Sequence, residues 1–344
     1  MWETYHLGQL LPWVDQQFRT VAQRGARAVA GLSMGGGGTL HYAARHPDLF
    51  VAAASFSGAV DTNSTFLWAV ASSDGLSTGD PPSSPSGLRA TEEVRWRGHN
   101  PYDLAENLGG LQLTLRTGNG EPGGPGDEPG DCCYDPVEAE VHEENVSVHR
   151  RLVELGIPHV WDDYGPGCHC GYYWTRSLEQ LMPDLARIFA DPPAPPSPFT
   201  HRSIDPDYEA YGWDVEIDRP ALEWSELRDA SRGGFALRGS GTGTVTTPPV
   251  YAPDRTVAVQ VARGEGVESK RVRVPEDCRL RLEVPLGPGN PYQQYTAQAR
   301  VHGIQESLET PGTAPSDDTS GTAVYTTRVR IGAKRTPGCP GGGQ

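Results

Sequence analysis

The chain contains no run of eighteen consecutive apolar residues, so no membrane-spanning helix of ordinary length can be drawn on it. Its opening, Met1-Trp2-Glu3-Thr4-Tyr5-His6, lacks the basic head and apolar stretch of a secretory leader. Taken literally, that opening reads as cytoplasmic. Apolar residues are few, 36% of 344, whereas glycine and proline number 42 and 31. This is the balance of a loop-rich globular protein, long enough for two domains with a core each. Basic residues are outnumbered by acidic ones, 29 to 44, for a formal net charge of −15. Nucleic acids and anionic membranes are polyanions, so this charge argues against both as partners. Cysteine is sparse: Cys132, Cys133, Cys168, Cys170, Cys278 and Cys339 neither require a disulfide framework nor exclude one. No internal repeat is present.

What is present is an alternation of patterns. Leu10, Leu11, Val14, Phe18 and Val21 fall at helical spacing and predict an amphipathic helix over 7–21, with Pro12 close to its true start. A short strand over 26–30 leads into a glycine-flanked serine, followed by a helix over 39–46 and an apolar strand over 49–56. Further strands are predicted over 111–117 and 158–162, and helices over 146–155 and 178–189. Strands alternating with helices indicate an α/β domain with a parallel sheet, here 1–190. The Ser/Pro/Gly-rich stretch 72–87 and the Gly/Pro/acid stretch 121–130 read as exposed loops. Residues 191–199 form a proline-rich, extended linker. Beyond it, β-type runs over 213–217, 242–247, 256–262, 279–284 and 323–331 predict an all-β sandwich-like domain over 200–332. Residues 303–321 read as a long loop and 333–344 as a disordered tail.

Gly31-Leu32-Ser33-Met34-Gly35 matches G-x-S-x-G. A strand before it and a helix after it supply the context of a nucleophile elbow. Such a sharp turn strains the backbone at the serine, so its neighbours must be small. It also places the Met34 N–H at a helix N-terminus, where it can donate to an oxyanion. A serine hydroxyl needs a base, and the base needs a carboxylate, in the order Ser, acid, His for this fold. His169, in Asp163-Tyr164-Gly165-Pro166-Gly167-Cys168-His169-Cys170, stands in a turn after a late strand and is the candidate base. His159 falls within a strand, and His41 and His46 on a helix face. The candidate acids after the 111–117 strand are Glu121, Asp127, Glu128, Asp131, Asp135, Glu138 and Glu140, and position alone does not choose among them.

These residues together resemble the esterase D and antigen-85 (mycolyltransferase) branch of the α/β-hydrolases. Trp2-Glu3-Thr4 is similar to that family's W-E-T-F, and Gly31-Leu32-Ser33-Met34 to its G-L-S-M elbow. Asn100-Pro101 and Gly118-Asn119-Gly120 resemble its N-D-P … C-G-N-G stretch. Gly167-Cys168-His169-Cys170-Gly171-Tyr172-Tyr173-Trp174 resembles its G-T-H-S-W-x-Y-W. Val137-Glu138-Ala139 resembles its L-E-G, which moves Glu138 ahead of Asp135 as the acid. The resemblance covers residues 2–189 and implies an α/β-hydrolase with a Ser33–Glu138–His169 triad and Met34 as an oxyanion donor. It implies acyl transfer from a carboxylic ester, a small-molecule ester or an acylated glycan, to water or to an alcohol, with no metal and no organic cofactor.

Two departures stand out. Cysteines replace the Thr and Ser beside the family's base. Three readings are open for them: a bridge from the Cys132/Cys133 segment to the Cys168/Cys170 turn, a zinc site, or free thiols. The second departure is the early position of Ser33. The family carries its first strands, and the loop with the second oxyanion donor, before the elbow. The expectation is therefore that the N-terminal strands are missing from an incomplete reading of a longer protein, and that the whole protein is secreted or cell-wall associated. The alternative function is a non-catalytic or crippled truncated homologue that binds cell wall or carbohydrate. Its binding surface would use Trp213, Trp224, Tyr251, Tyr292 and Tyr295 of the β domain. Phe66, Trp68 and Trp96 are candidates for an apolar wall near the serine.

Overall fold

The structure, a computed structural model, describes residues 2–67, 69–70, 83, 86–125, 134–309 and 322–332. The chain divides into two compact units. One comprises Met1–Leu67 and Asn100–Ala194, the other Trp68–His99 and Pro195–Gln344. Residues 68–99, drawn from within the expected 1–190 domain, thus group with the C-terminal part. The helices in chain order are α1 (Trp2–Tyr5), α2 (Leu11–Gln17), α3 (Met34–Arg45), α4 (Arg89–Gly98), α5 (Pro136–Glu154), α6 (Gly171–Ala190) and α7 (Ala297–Glu309).

In the first unit β1 (Ala28–Leu32), β2 (Ala52–Phe56), β3 (Gln112–Thr117) and β4 (His159–Asp163) form a parallel sheet in that order. Ala30 pairs with Ala54, Ala54 with Thr114, and Thr114 with Val160. The whole of β2 is buried, as its unbroken run of small and apolar residues requires of a strand covered on both faces. Helix α3 packs on β1 and β2, α5 on β3 and α6 on β2. This parallel sheet with flanking helices is an α/β-hydrolase arrangement. The described residues contain no helix long and apolar enough to cross a membrane.

Several boundaries differ from expectation. The first helical segment spans α1, a π-helical turn at His6–Leu10 and α2, and ends at Gln17. The π turn widens the backbone just before Pro12, whose ring would otherwise meet the Gly8 carbonyl. Helix α5 begins at Pro136 instead of residue 146, because Asp135 caps it and Pro136 suits its first turn. Its buried face, Glu138, Val141, Glu144, Asn145, Val148 and Leu152, runs at helical spacing throughout.

The second unit is a two-sheet sandwich. β13 (Arg281–Pro285), β10 (Thr242–Thr246), β7 (Trp213–Asp218) and β6 (Asp207–Ala210) form one antiparallel sheet. β12 (Gly266–Arg273), β11 (Thr256–Arg263), β14 (Tyr325–Gly332), β9 (Gly234–Gly239), β8 (Ser225–Ser231) and β5 (Phe199–Ser203) form the other. Alternate residues such as Val215, Ile217, Leu282 and Val284 meet Leu237, Val259, Val261 and Val329 in one core. Trp213, Trp224 and Tyr251 are buried. These three are therefore removed from the aromatic surface on which glycan binding was expected; Tyr292 remains exposed. Trp96 is also buried, with its indole N–H on the Gly87 carbonyl at 2.9 Å. Gln293 donates to the Thr91 carbonyl at 3.1 Å, which ties α4 to this unit. Trp68 lies outside the described residues, and Phe66 is half-buried. The expected loop over 303–321 is helical as far as Glu309, in α7, where Thr296 accepts the Ala299 N–H at 3.2 Å as a cap. Residues 310–321 and 333–344 lie outside the described residues.

Candidate active site

Ser33 sits between β1 and α3 with φ 52° and ψ −125°, a conformation that L-residues adopt rarely. Its N–H donates to the Phe56 carbonyl at 3.0 Å, while the Gly36, Gly37 and Ala59 amides converge on its own carbonyl. The turn is tight enough that a Cβ on Gly31 would lie 2.2 Å from the Gly35 carbonyl oxygen. The first glycine of G-x-S-x-G therefore has a steric origin, whereas a Cβ on Gly35 would meet no atom within 4 Å. Met34 is the first residue of α3, so its N–H has no intrahelical acceptor, and its side chain is exposed.

The structure brings three of the expected side chains together. His169 Nε2 lies 2.8 Å from Ser33 Oγ. His169 Nδ1 lies 2.7 Å from Glu138 Oε2. The Glu138 side chain is fully buried, and that of His169 is 13% exposed. Asp135, the other candidate acid, contacts the same turn through the backbone: its Oδ2 accepts the His169 N–H at 2.8 Å. Its Oδ1 accepts the Val137 and Glu138 N–H groups as the cap of α5. Glu138 falls in the first turn of that helix, where the dipole favours a negative charge. Trp174 stands edge-on to the imidazole, ring centroids 5.0 Å apart. Asp127, Glu128 and Asp131 lie outside the described residues, and Glu121 and Glu140 are exposed.

Three further groups hold Glu138; Gly118 lies in a segment the resemblance covers, and the sequence pointed to neither Ser57 nor Thr117. Its Oε1 accepts the Ser57 hydroxyl at 2.7 Å, the Gly118 N–H at 2.7 Å and the Thr117 hydroxyl at 3.3 Å. Ser57 follows β2 with φ 44°, a left-handed non-glycine residue. Behind it stands Tyr164, whose hydroxyl is held above its ordinary pKa by burial and then by the Glu138 charge. The Tyr164 ring stacks on Tyr173 and carries the Arg176 guanidinium 4.2 Å from its centroid. Cys168 and Cys170 are disulfide-bonded to each other. For these two sulfurs the pairing differs from all three readings left open, a bridge to the Cys132/Cys133 segment, a zinc site and free thiols; Cys132 and Cys133 lie outside the described residues. The other histidines are engaged elsewhere: His41 and His46 on Glu3, and His159 with His149 at 2.8 Å.

Residues 1–185 match a protein-family profile described as "Putative esterase". The chain belongs to this esterase family. Within 194 aligned residues it is 33% identical to "Esterase Rv1288" of Mycobacterium tuberculosis, a match covering 55% of this chain and 38% of that protein. It is 28% identical over 193 residues to "Diacylglycerol acyltransferase/mycolyltransferase Ag85B" of Mycolicibacterium smegmatis, covering 54% of this chain and 58% of that one. Among solved structures, Mycobacterium tuberculosis MPT51 (FbpC1) aligns at 21% identity and a TM-score of 0.45, over 54% of this chain and 68% of that one. The chain thus spans about 38% to 58% of the length of these two curated relatives.

The esterase-like segments away from the serine have structural work of their own. Glu3 accepts hydrogen bonds from His41 at 2.8 Å, His46 at 2.7 Å and Arg45 at 2.9 Å, clasping α1 to α3. Burial pushes the Glu3 carboxyl up, but His41, His46 and Arg45 outweigh it and hold it well below the usual carboxylate range. Asn100 is fully buried and donates to Asp61 at 3.0 Å and to Asp103 at 2.7 Å, while its oxygen accepts the Thr62 N–H. It secures the loop that follows β2 and carries Ser57.

Proposed function

We propose that this chain carries out serine-dependent acyl transfer from carboxylic esters, with Ser33 as nucleophile, His169 as base and Glu138 as the acid that orients it. The observation that carries the reading is the continuous contact from Ser33 Oγ to His169 Nε2, 2.8 Å, and from His169 Nδ1 to Glu138 Oε2, 2.7 Å. With Glu138 on Nδ1–H, the imidazole presents a bare Nε2 to the hydroxyl. As Ser33 Oγ attacks the ester carbonyl carbon, its proton passes to Nε2, and the buried Glu138 charge stabilises the imidazolium. The Met34 N–H donates to the developing oxyanion. The tetrahedral intermediate then expels the alcohol, which takes the Nε2 proton, and leaves Ser33 acylated. Attack by water completes hydrolysis; attack by an alcohol completes transfer.

The substrate class is a small-molecule ester or an acylated glycan. Both outcomes have support in the relatives, one named an esterase and another an acyltransferase. A compartment outside the cytoplasm suits the Cys168–Cys170 bridge, because disulfides persist where the environment is oxidising. The test is p-nitrophenyl butyrate hydrolysis by the full chain and its Ser33→Ala variant, with the acyl-enzyme sought by intact mass. The variant is expected to lose at least about 10³-fold in kcat. Equal rates, or an acyl adduct on another residue, overturn the assignment.

A further inference from the structure

His169 occupies the centre of a three-residue turn that is closed twice. The Cys170 N–H donates to the Cys168 carbonyl at 2.9 Å. This i to i+2 bond is the mark of a γ-turn, a three-residue closure made by one backbone hydrogen bond. The side chains of the same two residues are joined by the disulfide, across a sequence separation of 2. Covalent and hydrogen-bonded closures thus span one residue, the candidate base.

A bridge this short does little for the fold as a whole. The loop-closure entropy that a disulfide removes from the unfolded chain grows with loop length, so a loop closed over a single intervening residue gains least. What it restricts is the backbone of His169 itself. The ring must meet Ser33 and Glu138 at once, and it hangs from this turn. The remaining restraints are the Asp135 carboxylate on the His169 N–H, 2.8 Å, and the edge-on Trp174 ring. Immediately after the bridge, Cys170 starts α6 without a side-chain hydrogen bond to the helix amides, so its sulfur serves the bridge and not the cap. Cys168 and Cys170 are both half-buried, within reach of a small thiol.

We propose that the Cys168–Cys170 disulfide is a positioning element for His169 and that it makes the site responsive to thiols. The proposal deepens the acyl-transfer reading and rests on it. The reductant is a dithiol. One thiolate attacks a bridge sulfur, forming a mixed disulfide and releasing one cysteine thiolate. The second thiol then displaces the other cysteine. Two electrons and two protons pass to the protein, leaving Cys168 and Cys170 as thiols and the reagent as its own disulfide. With the bridge open, the turn keeps its Cys170–Cys168 hydrogen bond, the Asp135 contact and the Trp174 ring but loses its covalent closure, and His169 loses its fixed approach to Ser33. Misplacement of a catalytic group by about 1 Å costs up to 10²-fold in rate.

The experiment uses the full oxidised chain, titrated with dithiothreitol, with opened cysteines located by alkylation and mass spectrometry. Once Cys168 and Cys170 are alkylatable, kcat for p-nitrophenyl butyrate is expected to fall about 10-fold or more, with KM within about twofold, and to return on reoxidation. Hydrogen exchange in the peptide 164–174 is expected to quicken while that of α5 stays unchanged. The variant C168S/C170S should show the low kcat from the outset, ignore the reductant and melt close to the parent. Unchanged kcat and exchange after the bridge opens overturn the proposal. So does a variant that still responds to dithiothreitol, since the effect would then lie at Cys278 or another cysteine. Absence of Ser33-dependent turnover in the oxidised chain would remove the acyl-transfer reading instead. The exchange measurement would still report whether the bridge holds the turn.

Discussion

Replacing Ser57 by alanine tests whether the support of Glu138 matters to the rate. The Ser57 hydroxyl and the Glu138 carboxylate are both buried, and the bond between them is 2.7 Å. A hydrogen bond to a charged group contributes about 1.5–3 kcal/mol. The Gly118 N–H and the Thr117 hydroxyl remain on the same oxygen, so the lower half of that range applies to orientation. The charge on Glu138 counts most when the imidazolium forms beside it, so the loss falls on the transition state. At about 1.4 kcal/mol per decade, kcat should drop roughly 10- to 40-fold with little change in KM. Stability is a confounder, because φ at Ser57 is 44°. Ser57→Gly resolves it: glycine also lacks the hydroxyl but accepts that φ without strain. Both variants should lose the same factor in kcat, measured with p-nitrophenyl butyrate, while the glycine variant melts no lower than the alanine one. A kcat within about twofold of the parent in both would show that the Ser57 contact contributes nothing to the rate, and the argument for its role would fail.

Glu138→Gln should cost far more, about 10⁴-fold in kcat by analogy with other triad acids, and leave the melting temperature less affected than Glu138→Ala; comparable kcat for Glu138→Gln and the parent would remove the acid from the mechanism. Gly37→Ala should fold poorly, because its Cβ would lie 2.1 Å from the Ala59 carbonyl oxygen, and soluble yield with thermal unfolding checks it. Burial, and then the nearby Asp61 charge, push Glu144 up to about 8 from an ordinary 4.5, although the Ser64 hydroxyl pulls it down. Between those values the folded chain keeps a proton that the unfolded chain releases, so this contribution to stability falls as pH rises from about 4.5 to about 8. Glu144→Gln should abolish that fall, on the order of 3–5 kcal/mol, and denaturant titrations at pH 5 and pH 8.5 that show the same difference in variant and parent would refute it.

What the sequence disclosed depended on how local its cause was. The elbow was legible because its cause lies within five residues: Gly31 is demanded by the Gly35 carbonyl, and strand and helix adjoin on either side. The sandwich strands β7, β11 and β14 were legible because burial alternates along them residue by residue. Strands β6, β8 and β12 were not. β6 has four residues, β8 begins Ser225-Glu226 with both residues buried, and β12 is mostly exposed, so the period-2 pattern is short or inverted. Helix α5 carried a readable start, Asp135-Pro136 followed by Glu138, but the acid-rich composition before it suggested a loop. That matters for the site, since Glu138 is held by its place in the first turn of a helix and not by a loop. Ser57 had no signal at all. A left-handed φ on a serine is imposed by what surrounds it, here the Arg116 carbonyl on its N–H at 2.7 Å and the Glu138 carboxylate on its hydroxyl, and both partners lie more than fifty residues away. The groups that would perform chemistry are thus readable from chain neighbours, whereas the groups that hold them in place are supplied by the fold.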